Sequence, residues 1–181
     1  MEPQPVQIVF DAAEIRHMLR AMASDIAGRN PDIASLALVG IRTGGAHLSA
    51  RLRDEMLALT GERPLLGVID ITLYRDDWTL LHTRPKVGKT EIEFPMDQRR
   101  VVLVDDVLFT GRTVRAGLDA LIDFGRPCSI ELAVLIDRGR RELPIQPDYV
   151  GAVLAAGRDQ VIDVLLGEEG AGPDRVVKRP A

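Results

Sequence analysis

The sequence predicts an α/β fold, a mostly parallel central sheet flanked by helices, and three stretches carry that reading. Ser35 to Ile41 is an apolar strand; the glycine turn Arg42-Thr-Gly-Gly45 follows it and opens a segment with Leu48, Leu52, Met56 and Leu59 at helical spacing. Val101 to Val104 is a second apolar run, which leads through Asp105-Asp106-Val107-Leu108-Phe109 into the turn Thr110-Gly-Arg-Thr113 and a helical period of Val114, Leu118 and Leu121. Ile130 to Ile136 is a third, nearly uninterrupted apolar strand. Strand, glycine turn and helix form the unit of a doubly wound sheet, whose parallel strands are buried on both faces and so lose their alternation.

The other elements follow in chain order. Asp11-Ala-Ala-Glu14 has the form of a capped helix start, and Ile15, Met18, Leu19, Met22 and Ile26 then share one face. Leu65 to Tyr74, rich in branched residues, reads as a strand. From Arg75 to Lys86 the period breaks, charges mix and a proline and then Gly88 follow, so an exposed loop is expected over about residues 75 to 88. The helix after Thr113 should run to Phe124 and stop at Gly125 and Pro127, and Tyr149 to Leu154 is a further short strand. The glycine- and proline-bearing tail, 167 to 181, is expected to be loosely ordered.

A chain of 181 residues suits a single domain, and 46% hydrophobic with 28% charged residues is ordinary for a soluble globular protein. A net charge of -4 argues against indiscriminate nucleic-acid binding, so no DNA partner is expected and any RNA site must be a local patch. The lone Cys128 can form no internal disulfide, and its neighbours suggest packing. Met1 to Val9 lacks the pattern of a secretory leader and no long apolar run occurs, which predicts a cytoplasmic protein with no membrane partner.

The chemistry concentrates in residues 101 to 113. Two adjacent carboxylates at the carboxyl end of a parallel strand lie where open α/β sheets place ligands, and they can accept from the two neighbouring hydroxyls of a ribose. The Thr110 to Thr113 turn offers hydroxyls, a glycine, a guanidinium and the exposed amides of a helix start, which suit a phosphate. The competing reading is a helix cap with a solvated neighbour, and a phosphoaspartyl site is formally open. Gly88-Lys89-Thr90 lacks the upstream glycine of a Walker loop, and no Gly-x-Gly-x-x-Gly turn follows a strand. His17, His47 and His82 are too scattered for a metal site.

The stretch 101 to 113, with Val-Arg-Ala-Gly-Leu-Asp-Ala-Leu121, resembles the phosphoribosyl-pyrophosphate (PRPP) motif of type I phosphoribosyltransferases. Gly67-Val-Ile-Asp-Ile-Thr-Leu-Tyr-Arg-Asp-Asp77 and Gly125-Arg-Pro-Cys-Ser-Ile-Glu-Leu-Ala-Val-Leu-Ile-Asp-Arg-Gly-Arg-Arg-Glu-Leu-Pro-Ile145 narrow it to the pyrimidine operon attenuation regulators, the PyrR family, over roughly residues 8 to 155. The resemblance implies a type I phosphoribosyltransferase fold with a small hood, here expected from the chain ends. It also implies two activities: synthesis of UMP and pyrophosphate from uracil and PRPP, and binding of pyrimidine-operon mRNA in response to uridine nucleotides, UMP or UTP.

Carried onto this chain, the resemblance gives Asp105 and Asp106 the ribose hydroxyls, and the span Val107, Leu108, Phe109, Thr110, Gly111, Arg112 and Thr113 the 5′-phosphate side. Arg42, Thr43 and Gly44 become the pyrophosphate loop, and Asp137 and Arg138 the start of the nucleobase segment. The loop of about residues 75 to 88 becomes a flexible lid, with Arg75 as its expected catalytic contact and Arg84 and Lys86 as further pyrophosphate contacts, although a solvated charged loop reads the same way. Mg²⁺ is expected to arrive with PRPP, held mainly through PRPP and water. RNA is assigned to Arg16 and Arg20, with His17 beside them, and to Arg140 and Arg141, with Arg138 adjacent; surface arginines without a partner are the plain alternative. Ser24, Gln146 and Phe109 stand where the RNA-binding members usually carry a histidine, a basic residue and a tyrosine. A phosphoribosyltransferase without RNA-regulatory activity, one acting on purines, and a nucleotide-sensing RNA-binding module with little turnover all remain compatible with the motif. A homodimer or higher homo-oligomer is expected from the family.

Overall fold

The computed structural model describes residues 6–76, 88–170 and 172–181. Five parallel strands form the central sheet: β2 (Ala37–Ile41), β3 (Leu65–Ile69), β4 (Arg100–Leu108), β5 (Ser129–Asp137) and β6 (Tyr149–Val153), in the spatial order β3-β2-β4-β5-β6. The chain builds outward from β2 to β3, then crosses to the other side of β2 to lay down β4, β5 and β6. The direction of winding therefore reverses between β2 and β4, and the crevice beyond their carboxyl ends is the place where a doubly wound sheet binds its ligand.

Helices α1 (Ala12–Arg29) and α2 (Gly44–Thr60) cover one face of the sheet, and α3 (Arg112–Ile122) lies on the other. Helix α1 begins with a complete capping box: the Asp11 carboxylate accepts from the amides of Ala13 and Glu14, and Glu14 accepts from the Asp11 amide. Its Ile15, Met18, Leu19, Met22 and Ile26 are all buried, the face that their spacing predicts.

Three boundaries differ from the sequence reading. β3 stops at Ile69 and does not reach Tyr74, because the Asp70 carboxylate accepts from the Thr72 amide at 2.8 Å and turns the backbone. The branched residues beyond it follow a packing demand, with Ile71 buried in the core on the α3 side. α3 ends at Ile122, before Phe124. The tail is the largest correction. Arg175–Pro180 forms strand β8, the middle strand of a three-stranded antiparallel sheet with β1 (Gln7–Phe10) and β7 (Gln160–Leu165) at its sides. Val176 and Val177 are buried, and that apolar burial outweighs the glycines and proline that precede them.

This smaller sheet is fastened to the main body by Arg51 of α2. Its guanidinium forks onto Glu168, at 2.8 and 2.5 Å, and onto Asp174, at 2.5 and 3.0 Å, which holds both ends of the β7–β8 connection. Discounted for the solvent exposure of Glu168, Arg51→Met is expected to cost about 1–2 kcal/mol of stability. Hydrogen exchange should localise the loss to β7 and β8, and uniform deprotection of the central sheet would contradict it. Of the expected mobile loop, residues 77–87, with Trp78, His82, Arg84 and Lys86, lie outside the described residues. Cys128 is exposed and not packed, because it precedes β5 at the sheet's amino-terminal edge.

Candidate active site

The acid pair is part of β4 itself. The strand continues to Leu108, and Asp105 still pairs with Val134 of β5, whereas the pairing of β4 with β2 stops at Gly40 and Val104. From Asp105 onward β4 thus has a partner on one side only, and the open side faces the start of α2. Gly40, Gly44 and Gly45 let that helix start come close: a Cβ on Gly44 would lie 2.5 Å from Asp106 Oδ2, and one on Gly45 would run into the Val104 carbonyl. The structure therefore brings the Arg42-Thr43-Gly44 turn, with its cis Arg42–Thr43 peptide, directly against the acid pair.

Asp105 is only 5% exposed, and its carboxylate accepts from the Asp106 amide at 3.0 Å. Asp106 is half-buried, and its carboxylate accepts from the Val107 amide at 2.7 Å. Burial pushes the Asp105 carboxyl well above the usual carboxylate range and the charge of Asp106 adds to that, while Arg75 pulls the other way. Asp106 is also raised, mainly by burial. The side chains of Val107 and Leu108 pack into the cores on opposite faces of the sheet, so these two residues face the crevice through their backbone.

Beyond β4, Gly111 adopts the left-handed conformation, φ +91°, and offers no side-chain cap to the first turn of α3. The Arg112 amide donates to the Thr110 hydroxyl at 3.3 Å, and the next amides of that first turn, on Thr113 and Val114, are left for a ligand. Arg75, Asp76, Thr110, Arg112 and Thr113 line a cavity of about 180 Å³ at this point. The Arg112 guanidinium does not reach freely into it. It bridges Asp76 at 2.6 Å and Glu142 at 2.7 Å, tying the chain just before residues 77–87 to the segment after β5.

Arg42 is likewise engaged. Its guanidinium donates to the Lys89 carbonyl at 2.8 Å and pairs with Glu91 at 3.5 Å, so the turn after β2 grips the chain leading into β4. Asp70 completes this joint by accepting from the Gly88 amide at 2.6 Å. No local pattern announces such contacts, since the partners lie 47 and 18 residues apart; only the short Asp-x-Thr turn at Asp70 carries a signal.

Past β5, Asp137 accepts from the Gly139 amide at 2.8 Å and pairs with Arg141 at 2.8 Å. Arg138 is buried, 8% exposed, and its guanidinium lies 3.7 Å over the Phe109 ring. Of the residues expected to meet RNA, Arg16 and Arg20 are exposed on one face of α1, and Arg140 is exposed after β5. Arg141 is not available in that way: besides Asp137 it donates to the Ile145 carbonyl at 2.9 Å and the Phe109 carbonyl at 3.2 Å, holding its loop against the PRPP-type turn. Arg138 is withdrawn from solvent for the same reason.

A parallel sheet that sets an acid pair against a glycine turn where its winding reverses holds a pentose between two anion sites, which is the arrangement of a phosphoribosyltransferase. The phosphoribosyl transferase domain model matches residues 7–159. Among curated relatives, the bifunctional protein PyrR of Syntrophobacter fumaroxidans is 51% identical over 94% of this chain and 91% of its own length, and that of Desulfosudis oleivorans is 49% identical over 98% of both. The chain belongs to the PyrR family of phosphoribosyltransferases. Solved hypoxanthine phosphoribosyltransferases of Trypanosoma cruzi share the fold, with TM-scores of 0.73, at 18% identity over 100% of this chain and 93% of theirs, and 0.70, at 20% identity over 97% of each.

Proposed function

We propose that this protein transfers the phosphoribosyl group of PRPP to uracil, giving UMP and pyrophosphate, and binds pyrimidine-operon mRNA in response to uridine nucleotides. The observation that carries the enzymatic half is the contact between Asp106 and the Gly44 turn, which sets ribose-binding carboxylates beside a pyrophosphate-binding loop. Asp105 and Asp106 accept from the ribose hydroxyls, the amides and hydroxyls of Thr110 to Thr113 hold the 5′-phosphate, and the turn of Arg42, Thr43 and Gly44 receives the pyrophosphate. Arg75 stands at the rim, between Asp105 and the phosphate cavity. As the bond from the anomeric carbon to pyrophosphate breaks, positive charge grows on the ribose and negative charge on the departing group, so fixed carboxylates on one side and amides with guanidinium on the other lower the barrier.

Among the described residues no three Asp, Glu, His or Cys side chains converge as a metal cage. Asp105 and Asp106 would hold an Mg²⁺ arriving with PRPP, and that ion would supply positive charge toward the pyrophosphate. The nucleobase falls to the segment that opens with Asp137 and Arg138, through its backbone groups.

For RNA, Arg16 and Arg20 form one exposed stripe along α1 that continues to the exposed Ser24, and Arg140 supplies a further exposed guanidinium. A dimer would double that stripe into a longer face. No helix among the described residues is long and apolar enough to cross a membrane, in keeping with a cytoplasmic site of action. Calorimetric titration with UMP, then with leader RNA with and without UMP, tests both halves. UMP is expected to bind and to tighten the RNA complex, and Arg16→Ala, Arg20→Ala should lower the salt slope of RNA binding by about 1 per lost phosphate contact. Binding of neither UMP nor RNA at physiological salt would defeat the proposal, and pyrophosphate release with hypoxanthine or guanine but not uracil would redirect it to purines.

A further inference from the structure

Arg138 directly follows β5, and its position is fixed from three directions. Its amide donates to the Leu108 carbonyl at 2.9 Å, which anchors its backbone to the end of the acid-pair strand. Its guanidinium plane stacks on Phe109, the residue that leads into the Thr110 to Thr113 turn, and its Nη2 donates to the carbonyls of Gly157 at 3.1 Å and Gln160 at 2.6 Å. Gln160 opens β7, the strand of the small sheet that lies against β4. A single buried side chain thus spans the floor of the crevice and its roof.

We propose that Arg138 is a positioning residue: by bracing β7 against Phe109 it sets the height of the gap that receives the nucleobase, without itself contacting the base. This rests on the assignment of ribose to Asp105 and Asp106 and of phosphate to the Thr110 to Thr113 turn, which leaves the space beneath β7 for the base. The chemistry suits the task. A guanidinium offers a flat apolar face to an aromatic ring while its N–H groups point outward in the same plane, so stacking and carbonyl gripping occur together. A lysine ammonium, a point donor on a flexible stem, cannot do both. The surrounding lacing agrees: Glu142 and Leu143 donate their amides to the Thr110 carbonyl at 3.0 and 3.1 Å, so the loop after β5 and the phosphate turn move as one body, while Arg138 alone among these contacts reaches the roof.

A ligand without a base should therefore be indifferent to Arg138, and one with a base should not. Binding of UMP and of ribose 5-phosphate is measured by calorimetry for the wild type and for Arg138→Met, Arg138→Lys, Phe109→Leu and Phe109→Tyr, with thermal melts to establish folding. Arg138→Met is expected to weaken UMP at least about tenfold and ribose 5-phosphate by less than about twofold. Arg138→Lys should fail to restore UMP, Phe109→Leu should shift UMP in the same direction as Arg138→Met, and Phe109→Tyr, which keeps the ring, should shift it less than Phe109→Leu does. The double variant Arg138→Met, Phe109→Leu should be no worse than Arg138→Met alone, since both remove one strut. Unchanged UMP affinity in a folded Arg138→Met, or equal losses for the two ligands, overturns the inference; should that variant not fold, the Phe109 pair decides it on the same criteria. If the wild type prefers IMP to UMP, the uracil assignment fails instead, and the comparison of nucleotide with ribose 5-phosphate is made with IMP.

Discussion

Gly44→Ala is expected to weaken PRPP binding by about 10- to 150-fold while leaving the fold intact. The added methyl would sit 2.5 Å from Oδ2 and 2.9 Å from Cγ of Asp106, well inside contact distance, so the carboxylate must swing away. The carboxylate can swing, but Asp106 Cβ, 3.0 Å from the methyl, is fixed to β4, so the helix start must also give by a few tenths of an ångström and the melting temperature should fall by about 2–4 °C. Each hydrogen bond from a ribose hydroxyl to a charged carboxylate contributes about 1.5–3 kcal/mol, a factor of roughly 10 to 150. Gly45→Ala is the contrast, because its methyl meets the backbone carbonyl of Val104 and would push α2 off the sheet. A calorimetric titration with PRPP and a melt on each variant distinguish the two cases; tight PRPP binding by Gly44→Ala would show that Asp106 is not the ribose acceptor.

The second large effect sets stability against function. Asp105 is buried with its carboxyl raised well above the ordinary range by burial and then by Asp106, so its ionised form is disfavoured in the folded protein. The sign follows from proton linkage: below the unfolded carboxyl value both states are protonated and the group is neutral in its effect, and as pH rises toward the elevated folded value stability is lost. Asp105→Asn, which carries no charge at any pH, is therefore expected to melt higher than the wild type at pH 7. A gain of about 1 kcal/mol corresponds to roughly 2–4 °C in a chain of this size. The gain should shrink as the pH is lowered into the ordinary carboxylate range. The same variant, together with Asp106→Asn, should lose at least about a hundredfold in kcat/KM for PRPP. A melting temperature that falls on Asp105→Asn, or a gain that grows with acidity, would contradict the account of its environment.

The parallel strands, the helical stripe from Ile15 to Ile26 and the sequence of acids, hydroxyls and glycine along β4 were legible because each is a local pattern with a local cause: burial on two faces, a 3.6-residue period, a turn that needs a particular backbone. The tail misled because its glycines and proline report only the connection, whereas Val176 and Val177 owe their order to strands from both ends of the chain. The partners of the arginines were illegible for a related reason. Arg112, Arg138 and Arg141 carry three different expectations, phosphate, nucleobase and RNA, and none of these foretells that the fold engages Arg112 with Asp76 and Glu142, Arg138 with Phe109 and the carbonyls of Gly157 and Gln160, and Arg141 with Asp137. Those partners lie up to tens of residues away and follow no period. Gly44 against Asp106 is the most informative such contact, since it joins two motifs that the sequence supplied separately.

The middle position of β8 in the small sheet bears on how the protein is made. Neither β1 nor β7 touches the other; each waits for β8, which is made after both. A chain emerging from the ribosome can thus close its parallel sheet and the phosphate-gripping turn before β8 exists, yet it stays roofless until that strand arrives, so products truncated before Arg175 should retain a sugar-phosphate cradle and have no means of selecting a base.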